Sequence, residues 1–220
     1  HEVTVLVTSQ TYKTQVEQAN GVRVIKAARL ATVASTPLSI RLPLRLAALR
    51  PEIAHLHFPY PLGELSQLFV GRAKGLVVTY HSDIIRQKGW LRLYRPWMHR
   101  VLARADRIVV ATPNYAASSE TLQRYGYKCV IIPYGIELER FRQAPAAQAA
   151  ALRAQHGGAP LLLFVGVLRY YKGLNYLLEA MPQVHAHLLI VGEGPQGADL
   201  RRQAEALGLG DRVTFAGRVS

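Results

Sequence analysis

Three segments of this sequence bring cations, glycines and ring nitrogens to places where they can act on a ligand. In Phe164-Val165-Gly166-Val167-Leu168-Arg169-Tyr170-Tyr171-Lys172-Gly173-Leu174, an apolar strand ends at Gly166, a short loop carries Arg169 and Lys172, and a helix opens near Gly173. Loops at the carboxyl ends of parallel strands are where ligands bind in α/β sheets. A helix start adds oriented N–H groups and partial positive charge. Arg169 and Lys172 therefore read as a clamp for a pyrophosphate, with two solvated surface cations as the plain alternative. Such a clamp stabilises charge building on a departing diphosphate more in the transition state than in the ground state.

The second segment runs Leu188-Leu189-Ile190-Val191-Gly192-Glu193-Gly194-Pro195-Gln196-Gly197. Gly192, Gly194 and Gly197 fit the dinucleotide fingerprint in form, but Arg218 stands roughly where that fingerprint wants an acid. Pro195 suits the first turn of a helix, and the glycines permit close backbone approach to a ligand. A tight turn that binds nothing is the alternative. In the third segment, Val77-Val78-Thr79-Tyr80-His81-Ser82-Asp83, His81 lies just past a buried strand and can orient a hydroxyl or share developing charge. A capping histidine is the bland reading. His55 and His57 alternate on one strand and so share a face, yet no third ligand has metal-site spacing. There is no Asp-x-Asp, and Asp83, Asp106, Asp199 and Asp211 are scattered, so no metal is expected. The single cysteine, Cys129, excludes an internal disulfide and reads as a core residue.

The elements that must position these residues alternate between strand and helix. Apolar, β-rich runs fall at 3–8, 22–25, 53–57, 76–80, 107–111, 128–132, 161–165, 187–191 and 212–215. Helical stretches lie at 62–72, 90–103, 114–124, 174–181 and 199–207. That order predicts parallel sheets flanked by helices. A run such as Leu161-Leu162-Leu163-Phe164-Val165, apolar without alternation, predicts a strand buried on both faces. An Ala/Gln-rich stretch followed by His156-Gly157-Gly158 marks a boundary. The expected organisation is a first domain over 1–142, a linker helix and turn over 143–158, and the start of a second domain over 159–220. Two and a half βα units in that second domain are about half a doubly wound sheet, so the chain is expected to continue past Ser220.

The 220 residues carry 27 Lys and Arg against 14 Asp and Glu, a net charge of +13, and half of the chain is hydrophobic. Through Arg142 there are 20 basic and 9 acidic residues, so the first part is expected to face something negative. Between Arg86 and Arg107, seven cations oppose Asp106 alone. Trp90, Leu93, Tyr94, Trp97, Met98, Val101 and Leu102 form a helical stripe beside them. Arginines beside tryptophans on an amphipathic helix suit an anionic membrane interface; an ordinary helix burying one face is the alternative. Pro96 is expected to kink this helix or divide it. No apolar run reaches the roughly 18 residues of a membrane span, and a cytoplasmic location, peripheral on the inner membrane face, is expected.

Taken in order, His55-Leu56-His57-Phe58-Pro59, Thr79-Tyr80-His81-Ser82, Ile132-Pro133-Tyr134-Gly135-Ile136, the stretch 164–173, Val191-Gly192-Glu193-Gly194-Pro195 and Val213-Thr214-Phe215-Ala216-Gly217-Arg218-Val219 resemble the retaining glycosyltransferases of family 4. The likeness covers nearly the whole chain. It implies a GT-B fold: two Rossmann-like parallel-sheet domains, the second incomplete here, with a cleft between them. It implies transfer of a sugar from a nucleotide sugar of UDP or GDP type to a glycan or lipid-linked acceptor, with retention and without a cofactor or metal. By matching position, Lys172 would hold the donor phosphates and His81 would contact the transferred sugar. Gly166, Gly192, Glu193, Gly194, Pro195, Arg218 and Val219 would border the donor, and His57, Pro59 and Tyr60 would lie on the acceptor side. The family usually places an arginine directly after the strand-end glycine. Here Val167 stands there, and Arg169 is expected to supply the charge. The family's acidic pair would lie beyond Ser220, and its glycine-rich acceptor loop before His1. A sugar-nucleotide epimerase of the same fold, a basic nucleic-acid-binding protein and an NADP-dependent oxidoreductase are the competing readings. No nucleic-acid-binding motif accompanies the charge, so nucleic acid is not an expected partner.

Overall fold

The computed structural model describes residues 1–33, 36–84, 88–143, 145–156 and 158–219, with Lys88, Trp90, Leu91 and Arg140 described by backbone alone. The chain divides into two units, His1–Gly135 and Ile136–Ser220. The first unit opens with β1 (Thr4–Thr8), β2 (Gln15–Ala19) and β3 (Val22–Ala27), arranged β1-β3-β2. β1 and β3 are parallel, but β2 and β3 are antiparallel. The reason is Asn20-Gly21, both at positive φ, which close a two-residue hairpin. β4 (Ala31–Val33) and β5 (Thr36–Leu38) form a second antiparallel pair. The expected strands β1 and β3 are parallel, and the first 40 residues add antiparallel strands, β2, β4 and β5, that the sequence reading does not include. Helix α1 (Arg41–Ala48) follows.

From there the alternation holds. β6 (Ile53–Phe58), α2 (Pro61–Val70), β7 (Gly75–Tyr80), α3 (Lys88–Arg104), β8 (Arg107–Val110), α4 (Pro113–Ser118), α5 (Glu120–Arg124) and β9 (Cys129–Ile131) succeed one another. The four strands form one parallel sheet in chain order. Its core joins Phe58, Val78, Tyr80, Ile108 and Val110 to Met98 and Leu102 of α3 and to Leu122. α3 runs unbroken across Pro96. The single helix expected over 114–124 is instead two, because Ser119 leaves helical geometry and accepts from Leu122 N as the cap of α5. Cys129 is half-buried against this core, its thiol directed at the Tyr125 carbonyl 3.5 Å away.

The second unit holds α6 (Leu138–Arg142), α7 (Ala146–Gln155), β10 (Leu161–Val165), α8 (Leu174–Ala180), β11 (His187–Val191), α9 (Gly197–Ala206) and β12 (Val213–Gly217). β10, β11 and β12 are parallel and adjacent in that order. Leu188 and Ile190 of β11 pack on Leu174, Leu178, Leu200 and Ala204. The unit starts at Ile136, so it takes in α6, which lies within the expected first domain, as well as α7 of the expected 143–158 region. β10 is not buried on both faces as its sequence suggests: Leu163 is 58% and Val165 69% exposed. β10 is an edge strand, and only its Phe164 side packs into the core.

At the carboxyl ends of these three strands the loops are tied backbone to backbone. Leu168 N donates to Glu193 O (3.0 Å), Gln196 N to Leu168 O (3.1 Å), and Gly192 N to Gly217 O (2.6 Å). A Cβ on Gly192 would lie 2.0 Å from Gly166 O, and one on Gly194 would lie 2.5 Å from Leu168 O. These glycines are required by loop-on-loop packing.

Two outcomes follow from the fold. Gly194→Ala has no flexible neighbour to displace and should lower stability by more than about 2 kcal/mol, read by thermal unfolding. Glu64 of α2 is 1% exposed; its Oε1 accepts from Tyr60 N (2.5 Å) and its Oε2 has no partner. Burial raises its carboxyl to about 7, outweighing the Tyr60 bond. The folded state then keeps a proton that the unfolded chain sheds near pH 4.5. Stability therefore falls as pH rises from there through 7, by up to about 3 kcal/mol. Glu64→Gln should remove that slope, so that its melting temperature gains on wild type between pH 4.5 and pH 8.

Candidate active site

In the first unit the functional groups gather on the carboxyl rim of the parallel sheet. His55 and His57 lie two apart on β6 with ring centroids 4.8 Å apart. His81, the residue after β7, stacks on His57 at 5.2 Å and 14°. His57 Nδ1 and His81 Nε2 are 2.9 Å apart, and His81 Nδ1 meets the Tyr134 hydroxyl at 2.6 Å. His55 Nε2 meets Thr79 Oγ1 at 2.7 Å. β9 is two strands from β7, so the segment after it must swing back along the rim to bring Tyr134 onto His81. His81 is thus no helix cap; both of its ring nitrogens are engaged.

The chain His57–His81–Tyr134 alternates donor and acceptor. Neutral imidazoles can run it in either direction, and one added proton fits. A second proton would set N–H against N–H between the two rings. Burial first, and then the neighbouring His57, hold the His81 imidazolium below its ordinary range; burial, His57 and His81 do the same for His55. The His55 and His81 rings therefore act as neutral hydrogen-bonding groups near neutral pH. Among the described residues no group of three or more His, Cys, Asp or Glu is arranged to hold a metal ion.

The loop that carries His81 is anchored by Asp83. Its Oδ1 accepts from Tyr80 (2.8 Å) and Ser119 (2.9 Å), and its Oδ2 from Tyr115 (3.0 Å). Burial, followed by the Asp83 carboxylate, pushes the Tyr80 phenol far above its ordinary range; the same two causes raise Tyr115. Pro59 follows β6 through a cis peptide bond. The next residue, Tyr60, bonds through its hydroxyl to Thr8 Oγ1, while its ring lies against Gly63, where a Cβ would be 2.7 Å away. Of the expected acceptor-side residues, His57 joins the His81 array directly. Pro59 and Tyr60 form the turn into α2, joined to it by Glu64. Asp83 and Tyr134 fall inside quoted segments but, like Glu64, receive no role in the site from sequence. A carboxylate following a strand-end histidine was the available signal for Asp83.

In the second unit, Leu168 is 3% exposed and seats the loop in the core, while Val167 is 50% exposed and Arg169 is also exposed. Arg169 has extended backbone, and alternation along such a segment puts 167 and 169 on the same side. A 3-10 turn, Tyr170–Lys172, then sets Lys172 one turn beyond Arg169. Lys172 Nζ lies 5.6 Å from the Tyr171 ring centre. Neither cation pairs with a carboxylate among the described residues. Gly173 takes φ 70°, and α8 starts there with no side-chain cap. Gly166, Gly192, Glu193, Gly194, Pro195, Arg218 and Val219 are brought together by the backbone ties described above. Glu193, Pro195, Arg218 and Val219 are exposed.

The basic helix divides its stripe. Met98, Val101 and Leu102 are core residues, and Tyr94 packs beside them. Trp97 is half-buried against Phe69 (5.1 Å) with the Arg100 guanidinium over it (4.7 Å). Leu93 (68%) and Phe69 (63%) stay exposed. Arg86 lies outside the described residues. No helix among the described residues is long and apolar enough to cross a membrane.

Comparison with known proteins agrees with this architecture. Residues 1–140 match the model of Glycosyltransferase Family 4, and residues 151–220 match that of Glycosyl transferases group 1. The chain is 44% identical to the D-rhamnosyltransferase WbpZ of Pseudomonas aeruginosa over 202 residues, 90% of this chain and 52% of that protein. It is 40% identical to the O-antigen chain mannosyltransferase C of Escherichia coli over 200 residues, 90% of this chain and 53% of that protein. The chain thus spans about half the length of these relatives. Among solved structures, the Anabaena protein HepE in complex with UDP-glucose superimposes with a TM-score of 0.70 at 15% identity, covering 100% of this chain and 70% of that one. That likeness concerns the fold, which is GT-B with Rossmann-like sheets. The family 4 match, which covers more than half of the chain, establishes that the chain belongs to glycosyltransferase family 4, and the group 1 match covers its last part.

Proposed function

We propose that this protein transfers a sugar from a nucleotide sugar to a glycan or lipid-linked acceptor, with retention and without a metal. The observation that carries the reading is the pair Arg169 and Lys172. They are exposed, unpaired with acid among the described residues, and held one 3-10 turn apart on the rim of a parallel sheet. In this reading they bind the donor diphosphate and take up the charge that grows as the sugar–phosphate bond breaks. The side shared by positions 167 and 169 supports Arg169 as the stand-in for the arginine that Val167 displaces. Glu193, Arg218 and Val219 border the nucleotide, and His81 meets a hydroxyl of the transferred sugar. The names of the relatives favour a donor of GDP type carrying mannose or its 6-deoxy form, D-rhamnose. Acceptor residues are expected around His57, Pro59 and Tyr60.

Titration calorimetry with GDP and UDP, in EDTA, tests the clamp. One nucleotide should bind, and Lys172→Ala should weaken it by roughly tenfold, the value of one charge-assisted bond. Full binding by the alanine variant, or none without a divalent ion, would remove this reading.

We also place the protein on the cytoplasmic face of an anionic membrane. Supporting this, exposed Phe69 and Leu93 flank Trp97, and Arg92, Arg95, Arg100 and Arg104 lie on the same helix. The protein should pellet with vesicles containing phosphatidylglycerol at low salt and stay in solution at about 0.5 M salt, where screening is short-ranged. Pelleting that salt does not reverse would speak against it.

A further inference from the structure

His81 has no free ring nitrogen. His57 takes one and the Tyr134 hydroxyl takes the other. A sugar hydroxyl that meets this ring must therefore displace a protein group, and the two are held differently. His57 sits within β6, paired along its length with β7. Tyr134 lies in coil after β9, is 60% exposed, and follows a segment whose last sheet-like bond is Ile132 N to Val110 O. Tyr134 is the partner that can leave.

The converse matters for selectivity. A site built to bond a substrate hydroxyl rejects an analogue lacking it, because its own polar atom is left unpaired when water is excluded. Tyr134 abolishes that penalty at Nδ1. We propose that Tyr134 is a specificity-determining residue: it gives His81 the hydrogen bond that a deoxy sugar cannot, and so admits donors with a methyl group where a hexose carries a hydroxyl. The tyrosine keeps its place when a deoxy sugar binds and yields it to the hydroxyl of a full hexose. This rests on the reading of His81 as the residue that meets the transferred sugar, at the hydroxyl that D-rhamnose lacks.

GDP-mannose and GDP-D-rhamnose differ by one hydroxyl and are the probes. In the full-length enzyme, Tyr134→Phe should lower kcat/KM for GDP-D-rhamnose by roughly tenfold to a hundredfold, the cost of a polar group left unpaired once the bound sugar excludes water. GDP-mannose, which brings its own hydroxyl, should change by less than about threefold. Equal loss on both donors, no loss on either, or a wild-type enzyme that rejects the deoxy donor overturns the proposal. Nitrogen-15 spectra of the imidazoles, taken without donor, read the contact separately. The His81 Nδ1 resonance should move in Tyr134→Phe. An unmoved resonance removes the Tyr134 bond whatever the assays show, whereas a moved resonance with no turnover of any nucleotide sugar removes the transferase reading instead.

Discussion

Parallel pairing makes neighbouring strands end on the same side, and each candidate site depends on that. Where β6, β7 and β8 run together, their carboxyl ends form one rim, and His57, His81 and the returning Tyr134 meet on it. Where β10, β11 and β12 run together, the loops carrying Arg169, Lys172, Glu193 and Arg218 share a second rim. Antiparallel strands would have sent alternate loops to opposite edges and scattered these side chains. The hairpin at Asn20-Gly21 shows how little it takes to reverse a strand. It lies in the opening sheet, which shares no strand with the sheet that carries the histidines.

Each rim is held by a different kind of force. In the first unit the supports are side chains. Asp83 gathers three hydroxyls beneath His81, and Glu64 ties α2 to the turn that follows β6. Asp83 is a half-buried carboxylate satisfied by three donors, whereas Glu64 is a buried carboxyl left with an idle oxygen. The second unit relies on the main chain: glycines let three loops touch, and amide bonds hold them.

Much of this could be read from residue order because apolar runs and their spacing survive packing. The strands at 53–57, 76–80 and 187–191 fall where their branched and apolar residues put them. β2 gave no such sign. Its Gln15-Val16-Glu17-Gln18-Ala19 is wholly exposed, and only the Asn-Gly turn after it marks a strand. β10 looks like a central strand, yet its position in the sheet, which no local pattern encodes, leaves Val165 exposed. The cations and glycines of the site were legible from type and spacing. Tyr134 was not, because its contact with His81 spans 53 positions and depends on a coil segment turning back. Nor was the isolation of Glu64, since a glutamate in the first turn of a helix is ordinarily solvated.

The backbone ties in the second unit also bear on how such a site can change over evolutionary time. Where one loop's amides are the partners of the next loop's carbonyls, inserting or deleting a residue in any of the three shifts the register of all. Exposed side chains at 167, 169, 193 and 218 carry no such burden. Related proteins can therefore diverge there by substitution far more freely than by changes in loop length, and new ligand preferences would be written in residue type on a rim of constant outline.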